Sequence, residues 1–372
     1  MPPADTIANA LETPLLREGA RVLTVCNACR YCEGYCPVFP ATERRTIFTP
    51  IDLTYLANLC HNCGECLYAC QYAPPHEFGI NVPRTLAKIR LTSYEQYCWP
   101  SRLGAAFARA GVLTSLLAAL VFSLLIGAWA SAIGTLDAHA AGGDFYAVLP
   151  HRAMVALFGS VGLFVLSALG IGLVRFQRDL TSMRSQPGDR TRSSSLWRGL
   201  KDAVTLRHLH PDDVDCTADE EQRAPWRRWC HHLTVYGFGL CFASTCTAAI
   251  YQEVFGWMPP YPYTSAPVLL GASGGLGLLV GPLGLLLLRR QRDPDLMDSA
   301  QDGMDRAFIL LLFLTAGTGL LLLALRATAA MSALLVIHLG VVLALFVSLP
   351  YGKFVHGIYR TAALIQDASE RR

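Results

Sequence analysis

The sequence predicts an all-α chain in two unlike parts: a small cysteine-rich helical domain, then a bundle of six transmembrane helices. Three observations carry this. Eight of the thirteen cysteines fall between Cys26 and Cys70. Six long apolar segments follow, between about residues 111 and 350. Hydrophobic residues make up 52 % of the 372 and charged residues 16 %, with a mean hydropathy of +0.34, too apolar for a soluble enzyme of this length.

The N-terminal part is taken as residues 1–100. Its opening stretch has no basic segment leading into an apolar one, so it is expected to stay in the cytoplasm. Cysteines in that compartment read as metal ligands before disulfides. A net charge of +3 gives no nucleic-acid footprint. Cys26, Cys29, Cys32 and Cys36 form C-x2-C-x2-C-x3-C followed by Pro37; Cys60, Cys63, Cys66 and Cys70 repeat the spacing, followed by Gln71. This is the bacterial ferredoxin run, in which the fourth cysteine ligates the other cluster. Three thiolates at x2 spacing wrap one cubane through a tight turn, and the fourth lies too far along for that corner. Two [4Fe–4S] clusters follow, one on Cys26, Cys29, Cys32 and Cys70, the other on Cys60, Cys63, Cys66 and Cys36. Zinc sites use two C-x2-C pairs split by a longer loop, not four cysteines in eleven residues. The other five cysteines (Cys98, Cys216, Cys230, Cys241, Cys246) share no spacing and read as packing or surface thiols. Leu53, Tyr55, Leu56 and Leu59 form a helical face leading into Cys60. A helix delivering the second run resembles the all-α ferredoxin domain of succinate dehydrogenase and heterodisulfide reductase subunits. His61 and His208 read as solvated loop residues, as do His139 and His210.

The second part, residues 101–372, carries spans at about 111–133, 153–174, 233–254, 266–288, 307–325 and 331–350, each near the 20 or so residues that cross a hydrocarbon core. The stretch 175–229 holds eleven Lys and Arg and the loop 289–306 holds four, whereas 136–150 and 256–266 hold none. The positive-inside rule then puts the N-terminal domain, the 175–229 loop and the C-terminus in the cytoplasm of a bacterial inner membrane protein. Within that loop, Ser185 to Ser195 reads as a linker. Leu196, Trp197, Leu200 and Val204 then make an apolar stripe, suited to the headgroup plane or to docking on the cluster domain.

Histidines within spans are functional candidates. A haem b in a helical bundle takes two neutral imidazoles at one depth. His338 and His356 are eighteen residues apart, five turns of one helix and about 27 Å along its axis, facing the same way. Matching by depth pairs His356 with His231 or His232 for a cytoplasmic-side haem, and His338 with His151 for an outer-side haem. His232 is favoured over His231, because its face continues through Gly239 and Ala243, which leave room for a macrocycle.

Several stretches are more specific: PPHEFGINVPRTLAKIR at 74–90, YCWP at 97–100, CHHLTVYGFGLCFAST at 230–245, FGWMPPYP at 255–262 and PYGKFVHGIYR at 350–360. With the double cysteine run they resemble the tricarballylate and citrate utilisation protein B family, also found as the C-terminal part of a flavoprotein of cobalamin synthesis. The resemblance covers nearly the whole chain. It implies two [4Fe–4S] clusters, haem b and a cytoplasmic FAD-dependent dehydrogenase as partner, whose reduced flavin is reoxidised toward the membrane quinone pool. The bundle is cytochrome b-like, and its last span is similar to the γ subunit of respiratory nitrate reductase, where two histidines eighteen apart on one helix serve two haems. The family motif carries a histidine just before FGW, where this chain has Gln252 and Glu253. No Gly-rich dinucleotide loop or flavin fold is visible, so the chain oxidises no substrate itself, and Pro74 to Arg90 is the expected docking stretch for the dehydrogenase. A heterodisulfide-reductase-like subunit carrying electrons from quinol to a cytoplasmic thiol–disulfide enzyme is the alternative; a redox sensor without turnover is a third class.

Overall fold

The computed structural model describes residues 13–136, 144–183, 193–209, 226–290, 292–296 and 298–371, and every regular element among them is helical. His139, His210, Cys216 and most of the linker expected at 185–195 lie outside the described residues.

Among the described residues the cluster domain has five helices: α1 (Pro14–Cys29), α2 (Val38–Glu43), α3 (Pro50–Leu59), α4 (Glu65–Tyr68) and α5 (Val82–Tyr97). Local chemistry fixes their starts. The Thr13 hydroxyl accepts the Leu16 N–H ahead of α1. Helix α3 opens on a capping box: the Asp52 N–H donates to Thr49 Oγ1, the Asp52 carboxylate accepts the Thr49 N–H at 3.0 Å, and Pro50 occupies the first turn. Each cysteine run begins where a helix stops, with Cys26 and Cys29 in the last turn of α1 and Cys60 just past α3. Between Cys60 and Glu65 the chain turns sharply, with Asn62 at φ 60° and Gly64 at φ 104°. A Cβ on Gly64 would also meet Leu296 Cδ1 at 2.6 Å, so the turn needs glycine both for its backbone and for its close approach to the neighbouring loop.

Among the described residues six helices are long and apolar enough to cross a membrane: Gly111–Ala132, His151–Ser182, Trp226–Glu253, Ala266–Arg290, Ala300–Leu325 and Met331–Ser348. They belong to α6 (Ser101–Ala132), α7 (His151–Ser182), α9 (Trp226–Glu253), α10 (Ala266–Arg290), α11 (Ser299–Leu325) and α12 (Met331–Ser348), with α8 (Ser193–Val204) lying between α7 and α9. Their outer faces expose leucine and valine, Leu166 and Val254 each to 70 %, which is tolerable only against lipid. Helix α12 is the buried centre, with 56 % of its span window enclosed. Helices α9 and α10 pack at backbone contact, where a Cβ on Gly274 would meet the Gly237 carbonyl at 2.8 Å.

The last span departs from the expected single helix through His356. It ends at Ser348, and α13 (Phe354–Glu370) starts afresh after the Pro350–Lys353 turn. Pro350 has no N–H to continue the ladder, and the Tyr351 and Gly352 N–H groups both turn back to the Ser348 carbonyl at 3.0 and 2.9 Å. His338 and His356 therefore sit on different helices, and the eighteen-residue interval does not align them.

Helix α13 packs into the cluster domain. Leu23, Leu53, Leu56 and Ile89 share one core with Val355, Tyr359 and Ala363 of α13 and with Phe176 and Leu180 from the end of α7. The two parts of the chain thus have a common core at their junction. Helix α8 lies along α13 with Ser195 and Gly199 buried, while Leu196, Trp197, Leu200 and Val204 point away from the protein. The stripe does not dock on the cluster domain.

Candidate redox site

The eight run cysteines gather in two groups. The thiols of Cys70, Cys32 and Cys29 lie close enough to Cys26 to oppose its ionisation. Those of Cys63 and Cys60 do the same to Cys36, and Cys66 feels Cys63, Cys60 and Cys36 before the more distant Cys32. The nearest neighbours are thus Cys26 with Cys29, Cys32 and Cys70, and Cys36 with Cys60, Cys63 and Cys66. Among the described residues no three His, Cys, Asp or Glu side chains converge as a single metal ion requires. A cubane, whose four irons each take one thiolate, spreads its ligands over separate corners. Burial, then mutual repulsion, pushes the Cys26 and Cys32 thiols up to about 12. Thiolates packed this way need compensating positive charge, which iron would supply. Around the sulfurs, Gln71 Nε2 donates to Cys29 Sγ at 3.8 Å and the Asn62 N–H to Cys60 Sγ at 3.3 Å. Gln71 thus has a use where the ferredoxin run has proline.

The second group sits against the membrane helices, held by a feature the sequence reading missed. Four arginines from four parts of the chain donate to the backbone carbonyls of residues 59–63. Arg90 Nη1 reaches the Cys60 carbonyl at 2.5 Å, Arg227 the carbonyls of Cys63 and Asn62 at 2.8 and 3.1 Å, Arg292 that of Asn62 at 2.6 Å, and Arg360 that of Leu59. Arg90 is only 1 % exposed and also donates to Gln301 at 3.2 Å. It belongs to the interior, so the expected docking stretch Pro74 to Arg90 is largely the buried helix α5. It is open at its start, where Phe78 is exposed beside Tyr72 and His76, and along one side of the helix at Arg84 and Lys88. Burial, then the neighbouring Arg227, pushes the Arg292 guanidinium down to about 10. This crowd of cations favours an anionic group on the cysteines. The signal available in the sequence was weak: isolated arginines flanking apolar segments.

The histidines divide. His61 is packed inside the protein, edge to face with His231 at 5.4 Å between ring centroids and with His356 at 5.6 Å. It lines the same cavity as Cys36, Cys60, Cys63, Cys66 and Arg360. Burial, then Arg360, holds His61 well below the usual imidazole range; burial, then Lys353 and Arg90, does the same for His356. Both are neutral, as metal-ligating imidazoles are. The Nδ1 atoms of His61 and His231 are buried without a hydrogen-bond partner, while His356 Nδ1 is hydrogen-bonded to the Tyr94 hydroxyl at 3.1 Å. Buried unpaired nitrogens beside a held imidazole fit a haem better than a plain core. His232 stacks on Tyr236 away from this group, so the inward residue of the pair is His231, not the favoured His232. His208 also departs from the solvated reading: its side chain is 16 % exposed and lines the Cys60 cavity.

The other two candidates are apart from this nest and from each other. His338 Nδ1 is hydrogen-bonded to Thr318 Oγ1 at 2.9 Å, facing α11. His151 Nε2 pairs with Glu253 at 3.0 Å, with Tyr146 packed on its ring and donating to Gln252 at 2.6 Å. The two residues that stand in for the family histidine before FGW are thus the partners of this far-end group.

Comparison with known proteins adds identity. The model of the citrate utilization protein B family matches residues 105–372, and that of its Fer4-like domain matches residues 19–96. Citrate utilization protein B of Escherichia coli is 48 % identical over 358 residues, 95 % of this chain and 92 % of that protein. No solved structure matches the chain.

Proposed function

The chain belongs to the citrate utilization protein B family, and on that footing we propose that it is the membrane electron-transfer partner of a cytoplasmic FAD-dependent dehydrogenase of the tricarballylate or citrate type. It reoxidises the reduced flavin and delivers the electrons to quinone in the bacterial inner membrane, with both termini cytoplasmic. One observation carries the reading: a cysteine of the second run, Cys60, is followed by His61, which touches an imidazole on a candidate span and another on α13.

When bound, two [4Fe–4S] clusters and one haem b supply single-electron chemistry that divides a two-electron flavin oxidation into steps. Cys26, Cys29, Cys32 and Cys70 hold one cluster, and Cys36, Cys60, Cys63 and Cys66 the other. The first group is nearer the surface, where Tyr31 and Phe78 expose aromatic area for a protein partner. The second is locked to the bundle by Arg90, Arg227, Arg292 and Arg360, whose charges favour the more negative, reduced form. The histidines at the head of the bundle hold the haem, with Tyr94 orienting His356. His338, like His356, has one ring nitrogen on a hydroxyl, but among the described residues no second imidazole packs beside it as His61 does beside His356, and His151 is paired with Glu253, so the reading adopted is one haem, not the two-haem arrangement with an outer-side site.

The test is reconstitution. Proteoliposomes carrying the protein and a quinone, given the dehydrogenase and its substrate, should reduce the quinone, and liposomes without the protein should not. Quinone reduction that is equally fast without the chain would defeat the proposal.

A further inference from the structure

Three imidazoles meet at the head of the bundle, and a haem iron takes two axial ligands. The pair expected from the spans and C-terminal segment, His231 with His356, is not the pair in contact. His61 touches both, at 5.4 Å from His231 and 5.6 Å from His356.

His61 cannot be moved aside cheaply. Its backbone belongs to the 59–63 loop, whose carbonyls are pinned by four guanidiniums arriving from α5, α9, the loop after α10, and α13. A macrocycle laid between His231 and His356 would have to break that loop out. His61 also carries a buried Nδ1 with no partner, which a plain protein interior disfavours. Opposite it, His356 has the arrangement of a ligating imidazole: one ring nitrogen is engaged by a hydroxyl, leaving the other for a metal.

We propose that His61, carried by the cluster loop and not by a membrane helix, is one axial ligand of the haem, with His356 as the other and His231 packing at the edge of the site. The inference rests on the haem reading above. Its consequence is that a ligand of the second cluster and a ligand of the haem are consecutive residues, Cys60 and His61, joined by one peptide bond. Cluster domain and bundle would then not be separable electron carriers, because the haem is completed only when the cluster loop is seated.

The test uses the full-length protein in detergent, with haem spin state read by absorption and EPR spectra. Wild type should show a low-spin b-type haem. His61→Ala should lower low-spin haem at least tenfold, leaving high-spin or missing haem, and added imidazole should restore the low-spin signal, which a purely structural role would not allow. His231→Ala should stay low-spin. His61 adjoins a cluster cysteine, so His61→Met provides a second reading: haem is retained and its midpoint potential rises, as for Met/His ligation. A low-spin spectrum unchanged in His61→Ala, or an unchanged potential in His61→Met, overturns the proposal while leaving the haem reading intact. A wild-type protein without haem overturns both.

Discussion

The two ends of the helical bundle treat their histidines in opposite ways. At the cluster-domain end three imidazoles crowd together, and two of them have a ring nitrogen with no partner. At the far end each histidine has its own answer within the protein, Thr318 for His338 and Glu253 for His151. A buried polar atom is expected to be paired. Where it is not, and several imidazoles crowd together, the fold leaves a place for something that completes them; a lone histidine with its own partner, as at the far end, needs no such group. The same contrast holds for charge: four arginines converge on residues 59–63 at the first end, whereas at the far end Arg326 donates to the Tyr261 carbonyl and lies over the Tyr263 ring.

The comparison can be broken or sharpened by substitution. The largest effect is expected for His356→Ala, which should abolish haem binding, read as haem per protein by pyridine haemochrome. Retention of haem would show that the nest is not the site. Next, Tyr94→Phe removes the hydroxyl that orients His356, and loss of such an outer-shell partner weakens metal retention about 10–100-fold; a haem-transfer assay to an apo-globin acceptor would measure it. Arg360→Leu removes a cation that attracts the thiolates of Cys60, Cys36 and Cys63. The second cluster should become harder to reduce, by on the order of 60 mV, the equivalent of about 1.4 kcal/mol for one electron, in an EPR-monitored titration; an unmoved potential would mean that the arginines only position the loop. The smallest effect on cofactors belongs to the far end. His338→Ala should leave the haem ratio unchanged and cost about 1–3 kcal/mol of stability through the lost Thr318 hydrogen bond, visible as a lower melting temperature. A fall in haem on that substitution would restore the outer-side site.

What was legible in the sequence was local. Cysteine ligation is written in spacings of two and three residues, so the Cys26–Cys36 and Cys60–Cys70 runs marked the ferredoxin-like domain that the family model matches at residues 19–96. Apolar runs long enough for a bilayer gave the six helices. The Pro350–Gly352 turn was also on the page, yet the eighteen-residue match between His338 and His356 outweighed it. The rest depends on distance along the chain. His61 meets its neighbours only because α9 and α13, about 170 and 295 positions later, fold back onto its loop, and nothing within reach of Cys60 in the sequence announces this. The choice of His232 over His231 failed for a related reason. A helix phase judged from neighbouring small residues is worth little until the helix start and its packing partner are known.

The central claim is that two clusters and a single haem meet at the cluster-domain end. Non-haem iron, acid-labile sulfide and haem should be measured on one purified sample and divided by protein from amino-acid analysis. The account predicts about eight irons, about eight sulfides and one haem per chain. About four irons, no haem, or two haems with one lost on removing His338 would contradict it.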